Sequence, residues 1–179
     1  MPKITDQKVV PEVINDFNCY NSDGNRLVGM TASVKIAQVQ TLKATISGAG
    51  IGGEYETPVV GHTSSISQEI PFKSITSEYL DYMDHSVVKG VTLRGAFQCL
   101  DASTGNTFMC PLVYEVRGKT KDVDPGTVEK GNPMNGNLTF EALYLKLTVD
   151  GTVIYEIDKL NNIFMVNGKD LMEEVRNMC

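Results

Sequence analysis

Glycines at positions 48, 50 and 53 form a G-x-G-x-x-G spacing, the arrangement that receives a pyrophosphate in dinucleotide-binding proteins. That chemistry requires the glycines to close a strand and open a helix, whose first amides take up the negative charge. Here the following residues are Glu54-Tyr55-Glu56-Thr57-Pro58-Val59-Val60-Gly61. Two carboxylates stand where a phosphate needs positive potential, and Pro58 and Gly61 interrupt any helix within two turns. A nucleotide site is set aside. The glycines are read instead as letting the backbone bend sharply or approach another backbone closely.

The remaining reactive side chains give no catalytic constellation. His62 follows Gly61 in an expected loop, and neither it nor His85, the other histidine, lies in a metal or triad motif. Both are read as ordinary hydrogen-bonding residues. Glu156 and Asp158 share one face of an expected strand and have the types of an acid–base pair, but solvation at a strand edge is the preferred reading. Lys119, Lys121, Asp122 and Asp124 read as a solvated loop of mixed charge.

Cysteines stand at 19, 99, 110 and 179 without a C-x-x-C pair or a histidine close in sequence, which disfavours metal binding and a disulfide framework. Cys99 and Cys110 flank the turn 101–107, so a regular hairpin brings them near one another across the ladder. As packing residues of a cytosolic protein they are expected to be reduced. The chain has no tryptophan, and its seven tyrosines lack the basic stripe of a base-stacking platform. Neither an enzyme, a metal site nor a cofactor is expected.

A length of 179 residues suits one domain with a substantial core. The net charge of −6 argues against a protein that grips nucleic acid, although not against one that lets it pass. No apolar run approaches the ~20 residues that span a bilayer, and the polar start Met1-Pro2-Lys3-Ile4-Thr5-Asp6 lacks the apolar core of a signal peptide. A cytoplasmic product without a membrane anchor is expected.

The elements read mainly as β. Residues 17–20 and 27–30 flank a turn whose Asp23-Gly24 step supplies positive φ. Alternation continues through Ala32, Val34 and Ile36, then Leu42, Ala44 and Ile46. In 66–72, Ile66, Ile70 and Phe72 share a face, and Pro71, lacking an N–H, marks an edge or a bulge. Residues 77–83 suit a short helix with Tyr79, Leu80 and Met83 on one side. Residues 88–100 and 108–116 form a hairpin. Another has Leu143, Leu145, Leu147 and Val149 turning at Asp150-Gly151 into Val153, Tyr155 and Ile157.

Residues 168–179 read as an amphipathic helix lying on a sheet. Asn167 would cap it, with Asp170 in the reciprocal position, and Leu171, Met172, Val175 and Met178 would form its stripe. Segment 119–137, with Pro125-Gly126, Gly131, Pro133 and Gly136, reads as a long loop of the kind that is functional or mobile.

The glycine segment 44–54 also resembles the glycine loop of the major tail tube proteins of contractile bacteriophage tails and R-type bacteriocins. The likeness continues in order through 20–29, Gly61-His62, Leu93-Arg94-Gly95-Ala96, Val116-Arg117-Gly118 and Gly131-Asn132-Pro133-Met134. It resumes at Tyr144-Leu145-Lys146-Leu147, Asp150-Gly151, 156–161 and Val166-Asn167-Gly168. Residues 1–12 extend beyond the family's usual short start.

The resemblance implies a β-sandwich or partial barrel with a packed helix, assembled as hexameric rings stacked head to tail into a hollow tube. It implies as partners further copies of the chain, a contractile sheath protein, a tape measure protein and a baseplate. DNA would be a transient cargo in a phage, and a bacteriocin would carry none. The particle's tail, assembled in the host cytoplasm, would be the location.

A glycine cluster and a long loop with no chemistry of their own suggest contacts between subunits or rings. The candidates are Ser47, Gly48, Gly50, Ile51, Gly52, Gly53 and Glu54, together with Pro125, Gly126, Pro133 and Met134. An acidic or neutral lumen would fit the net charge. Two other readings compete: a ring or hub component of a related secretion or injection system, and a monomeric β-sandwich module binding carbohydrate or peptide.

Overall fold

The computed structural model describes residues 8–29 and 33–179. Among these the elements follow as β1 (Val9–Asn21), β2 (Thr41–Ile46), β3 (Tyr55–Thr63), β4 (Ser67–Phe72), α1 (Ser77–Leu80), β5 (Lys89–Asp101) and β6 (Thr107–Asp124). Then come β7 (Gly136–Val149), β8 (Thr152–Asp158), β9 (Ile163–Val166), β10 (Lys169–Asp170) and α2 (Glu173–Met178). A 3-10 turn over Asp81–Met83 extends α1.

One antiparallel sheet runs in the order β1-β5-β6-β7-β8-β9-β10, and β4 lies beside the first half of β7, end to end with β8. β2 and β3 form a separate two-stranded hairpin.

Local chemistry explains the turns. Asp150 and Gly151 both have positive φ (50° and 74°), the twist-compatible pair that joins β7 to β8. Between β5 and β6 the Asp101 carboxylate accepts from the Ser103 amide and hydroxyl and from the Thr104 hydroxyl, and Gly105 closes the turn at φ 73°. These bonds, the Ser103 hydroxyl's first, hold the Asp101 carboxyl below its ordinary range.

The core lies on one face of the sheet. Cys19, Ile70, Phe72, Val91, Tyr114, Val116, Leu138, Phe140, Leu145 and Ile157 are buried there. Each such apolar side chain contributes about 1.5–3 kcal/mol by leaving water. Tyr79 and Tyr82 cover one part, Tyr79 stacked on Phe72 at 4.3 Å and Tyr82 edge-on to Phe140 at 5.5 Å. Val34, Ile36, Ala37 and Val39 of the irregular segment 33–40 cover another.

Several expectations change. The first hairpin exists as a turn, with Gly24 at φ 81°, but its return is a single bridge from Arg26 to Tyr20. β1 pairs with β5 instead. Val34 and Ile36 pack on the core without forming a strand, while Met30 and Ala32 lie outside the described residues. Pro71 does sit on an edge, since among the described residues β4 pairs with β7 alone.

The 77–83 helix buries Tyr79 and Tyr82 and exposes Leu80 and Met83. Its second turn is 3-10, which brings i and i+3 into line and rotates the face. β6 runs to Asp124 and β7 starts at Gly136, so the long loop shrinks to 125–135, and Lys119, Lys121, Asp122 and Asp124 are strand residues.

In β7 the buried parity passes from Leu138, Phe140 and Ala142 to Leu145 and Val149, leaving Leu143 outside the core. The cause is a bulge opposite Arg117 and Gly118. Only glycine fits at 118, because a Cβ there would overlap the Glu141 carbonyl.

The expected terminal helix shortens to Glu173–Met178 and buries no residue, so it does not lie on the sheet. Asn167 and Gly168, at φ 48° and 78°, make the tight turn joining β9 to β10 instead of capping a helix. Asp170 takes the Met172 amide and the Arg176 guanidinium.

Candidate interaction surfaces

Residues 47–54 form the tip of the β2–β3 hairpin. Ile51 N–H donates to the Gly48 carbonyl at 3.2 Å, and Gly50 holds φ 87° between them. A strand follows the glycines, not a helix, which removes the geometry a pyrophosphate needs. Ser47, Gly48, Gly50, Ile51, Gly52, Gly53 and Glu54 are all exposed. A Cβ added at any of the four glycines would meet nothing within 4 Å. Among the described residues these glycines therefore serve the bend and approach no other backbone.

The hairpin behind the tip is an arm with two unlike faces. Register places Ala44, Ile46, Tyr55 and Thr57 on one side and Lys43, Thr45, Glu56 and Pro58 on the other, and strand alternation adds Leu42 to the first, beside the register shift between Thr41 and Lys43. Lys43 and Glu56 pair at 2.9 Å on the polar side, an exposed contact worth about 0–1 kcal/mol. On the apolar side Leu42 and Tyr55 stay about half exposed, at 47% and 55%. Isolated two-stranded ribbons are marginal in water. His62 lies in β3, correcting the expected loop.

In the second loop, Gly126 and Met134 meet. Thr127 N–H donates to the Met134 carbonyl at 2.8 Å, and a Cβ on Gly126 would overlap that carbonyl. Asp124 accepts from the Gly126 amide, and Asn135 N–H donates to the Lys73 carbonyl, so the loop is tied at its base. Pro125 and Pro133 are exposed at its sides, and Val128 at its crest is 88% exposed.

β1 presents a further surface. It is 13 residues long and pairs with β5 along one edge; along the other, among the described residues, it meets Arg26 in a bridge, with the Leu27 N–H on the Cys19 carbonyl. Val10, Val13 and Ile14 on it are exposed. Unpaired strand edges are templates for another chain.

Several charged residues on the sheet face opposite the core are engaged by tyrosine rings or by an opposite charge. Arg94 lies 5.0 Å from the Tyr20 ring and Arg117 4.4 Å from the Tyr144 ring. Glu156 accepts from the Tyr144 hydroxyl at 2.8 Å and pairs with Lys146 at 3.5 Å. Burial, then the Glu156 hydrogen bond, pushes the Tyr144 hydroxyl well above its ordinary range. Asp158 accepts from the Leu160 and Asn161 amides and the Asn161 side chain.

Glu156 and Asp158 are thus committed to structural bonds, and no acid–base pair is assembled. They lie inside the sheet, between β7 and β9, and not at the strand edge expected. His85 Nδ1–H donates to the Thr120 carbonyl at 2.9 Å.

The residues that sequence reasoning missed lie in the supports. Gln68 is fully buried, accepts from the Tyr114 hydroxyl (2.7 Å) and the Ala37 amide (2.8 Å), and donates to the Lys35 carbonyl. Its signal was parity, since it shares the buried face with Ile66, Ile70 and Phe72. Glu141 gathers the Ser65 hydroxyl, the Ile66 amide and Lys159. No spacing rule marks it.

The sequence profile of the family described as phage tail tube protein FII matches residues 11–178. The tail tube protein of Escherichia phage P2 is 26% identical over 155 residues, covering 86% of this chain and 89% of the relative. The major tail tube protein of Serratia phage KSP20 is 37% identical over 60 residues, 34% of this chain and 35% of the relative. A chain in the six-fold symmetrised cryo-EM structure of the anti-feeding prophage baseplate overlaps 78% of this chain and 96% of its own length, with a TM-score of 0.46 and 8% identity. With nearly its whole length matched by the profile, this chain belongs to the phage tail tube protein family.

Proposed function

We propose that the chain acts as one tail tube domain that assembles into hexameric rings, stacked head to tail as the hollow inner tube of a contractile injection machine. Its role is structural and involves no catalysis. The observation that carries this reading is the β2–β3 arm, whose apolar side is half exposed and whose tip glycines have open space around them among the described residues.

Such an arm gains a partner on a neighbouring ring, where buried area offsets the cost of ordering it. The open edge of β1 supports the same reading, because joining edges around a ring leaves none free. Head-to-tail stacking is a heterologous contact, which propagates a filament.

The contacts assigned here are Ser47 to Glu54 at the arm tip, and Pro125, Gly126, Pro133 and Met134 in the second loop. Outside the tube lies a sheath protein, within it a tape measure protein, and at its end a baseplate. In a phage, DNA passes only as transient cargo.

We assign the outer face of the large sheet to the channel wall. Arg94, Arg117 and Lys146 there are matched by Glu115, Glu156 and Asp158. With the cations covered by tyrosine rings or a carboxylate, phosphate grip is low. A reconstructed tube with a strongly positive inner wall would overturn this assignment.

Negative-stain electron microscopy of the purified protein, followed over concentration and time, tests the assembly. Hollow cylinders of repeating discs with six-fold end views are expected. Monomers persisting at every concentration would overturn it.

A further inference from the structure

Apart from the main core, one end of the sheet holds a small second cluster of Val9, Cys99 and Cys110 with Phe97 and Phe108 packed against it. Both thiols are free, and their Sγ atoms lie 3.8 Å apart. The register sets Cys99 opposite Phe108 and Cys110 opposite Phe97, so the cysteines are diagonal neighbours on one face. Diagonal neighbours stand about 7–8 Å apart at Cα, past the span a disulfide bridges with the backbone fixed, so bringing the two sulfurs to bonding distance takes a shift of the strands as well as rotation of the side chains. We propose that Cys99 and Cys110 form a reversible cross-strand thiol staple, a modification site that stays open in a reducing compartment and closes on exposure to a small-molecule disulfide.

The exchange is balanced with oxidised glutathione as the oxidant. One thiol loses its proton, and the thiolate attacks a glutathione sulfur, releasing one glutathione thiol and leaving a mixed disulfide. The second thiolate then attacks the protein sulfur of that mixed disulfide and expels the other glutathione. Two protein thiols and one glutathione disulfide become one protein disulfide and two glutathione thiols.

Access sets the rate. Cys99 and Cys110 are 0% and 2% exposed, and Val9 at the start of β1 is part of their cover. Ala102 N–H also donates to the Lys8 carbonyl, fastening β1 to the turn above the pair. Burial, reinforced by the neighbouring Cys99, pushes the Cys110 thiol up to about 11, which slows attack while the end of β1 is closed. Closure therefore proceeds through local opening of that end.

The test uses full-length protein carrying Cys179→Ser, which removes the exposed thiol from competition. Folded protein is equilibrated with oxidised glutathione, denatured, alkylated and mapped by mass spectrometry. A Cys99–Cys110 linked peptide is expected, with two fewer alkylations, a Tm several degrees higher, and full reversal by dithiothreitol. Val9→Ala should speed closure several-fold without changing which peptides are linked.

Cys99 and Cys110 remaining fully alkylatable in both proteins would overturn the proposal. So would linkage of either to Cys19, or a rate unaffected by Val9→Ala. Assembly into tubes has no bearing on these readouts.

Discussion

Gly61 of β3 lies directly against the buried thioether of Met172, and a Cβ at position 61 would overlap the Met172 Sδ and Cγ atoms. This contact seats the β2–β3 arm against the segment between β10 and α2. Gly61 also holds φ 71°, a conformation that costs an L side chain about 1–2 kcal/mol. Gly61→Ala is therefore expected to lose about 1–3 kcal/mol in urea denaturation. Introduced into Met172→Ala, the same change should cost only its backbone share, giving a coupling of at least about 0.5 kcal/mol in a double-mutant cycle. Strict additivity would deny the contact its role.

Gln68 and Tyr114 fix the segment 33–40 against the sheet through one shared carbonyl oxygen. Tyr114→Phe removes a single bond and leaves the Ala37 amide as partner, so a loss of about 1 kcal/mol is expected. Gln68→Leu strands the Tyr114 hydroxyl, the Ala37 amide and the Lys35 carbonyl together, and should cost about 3 kcal/mol. Denaturation midpoints of the two variants measure the gap, and equal losses would contradict the shared-oxygen arrangement.

These cases show what was legible in the sequence. Alternation announced β5–β6 around a polar turn and β7–β8 around an Asp-Gly step, because one buried face and a turn leave a period-two signature. Leu143 was misplaced because the bulge depends on the close approach of Gly118 to Glu141, a contact between strands far apart in sequence. Asn167-Gly168 satisfies both a helix start and a hairpin turn, and pairing of β10 with β9 decided between them. The arm's glycine tip was identifiable by composition, whereas its exposure became visible only once β2 and β3 stood outside the large sheet.

Glu141 links the start of β4 to the end of β8. Burial works against its ionisation, but bonds from the Ser65 hydroxyl, Lys159 and the Ile66 amide outweigh it and hold the carboxyl below its ordinary value. A group depressed in the folded state stabilises the protein above its unfolded pKa and ceases to do so as pH falls through the folded one. The stability difference between wild type and Glu141→Gln should thus be largest near neutrality and shrink between about pH 5 and about pH 2. Thermal melts across that window measure it. A difference that stays constant, or grows on acidification, would refute the assignment.

At the arm tip, folding and assembly make separable demands. Ile51 is 40% exposed, and Gly50 has open space around it. Ile51→Asp should therefore change monomer stability by no more than about 0.5 kcal/mol. Under the assembly reading the same side chain meets a neighbouring ring, where a buried, unpaired carboxylate costs several kcal/mol. Tubes should shorten or vanish while the monomer's melt stays unchanged. Gly50→Val adds backbone strain at φ 87° and should do the same with a small loss of monomer stability. Ordinary tube lengths in both variants, counted on micrographs, would remove the tip from the interface. Loss of tubes only in Gly50→Val would make the bend, and not the Ile51 side chain, the element the neighbour recognises.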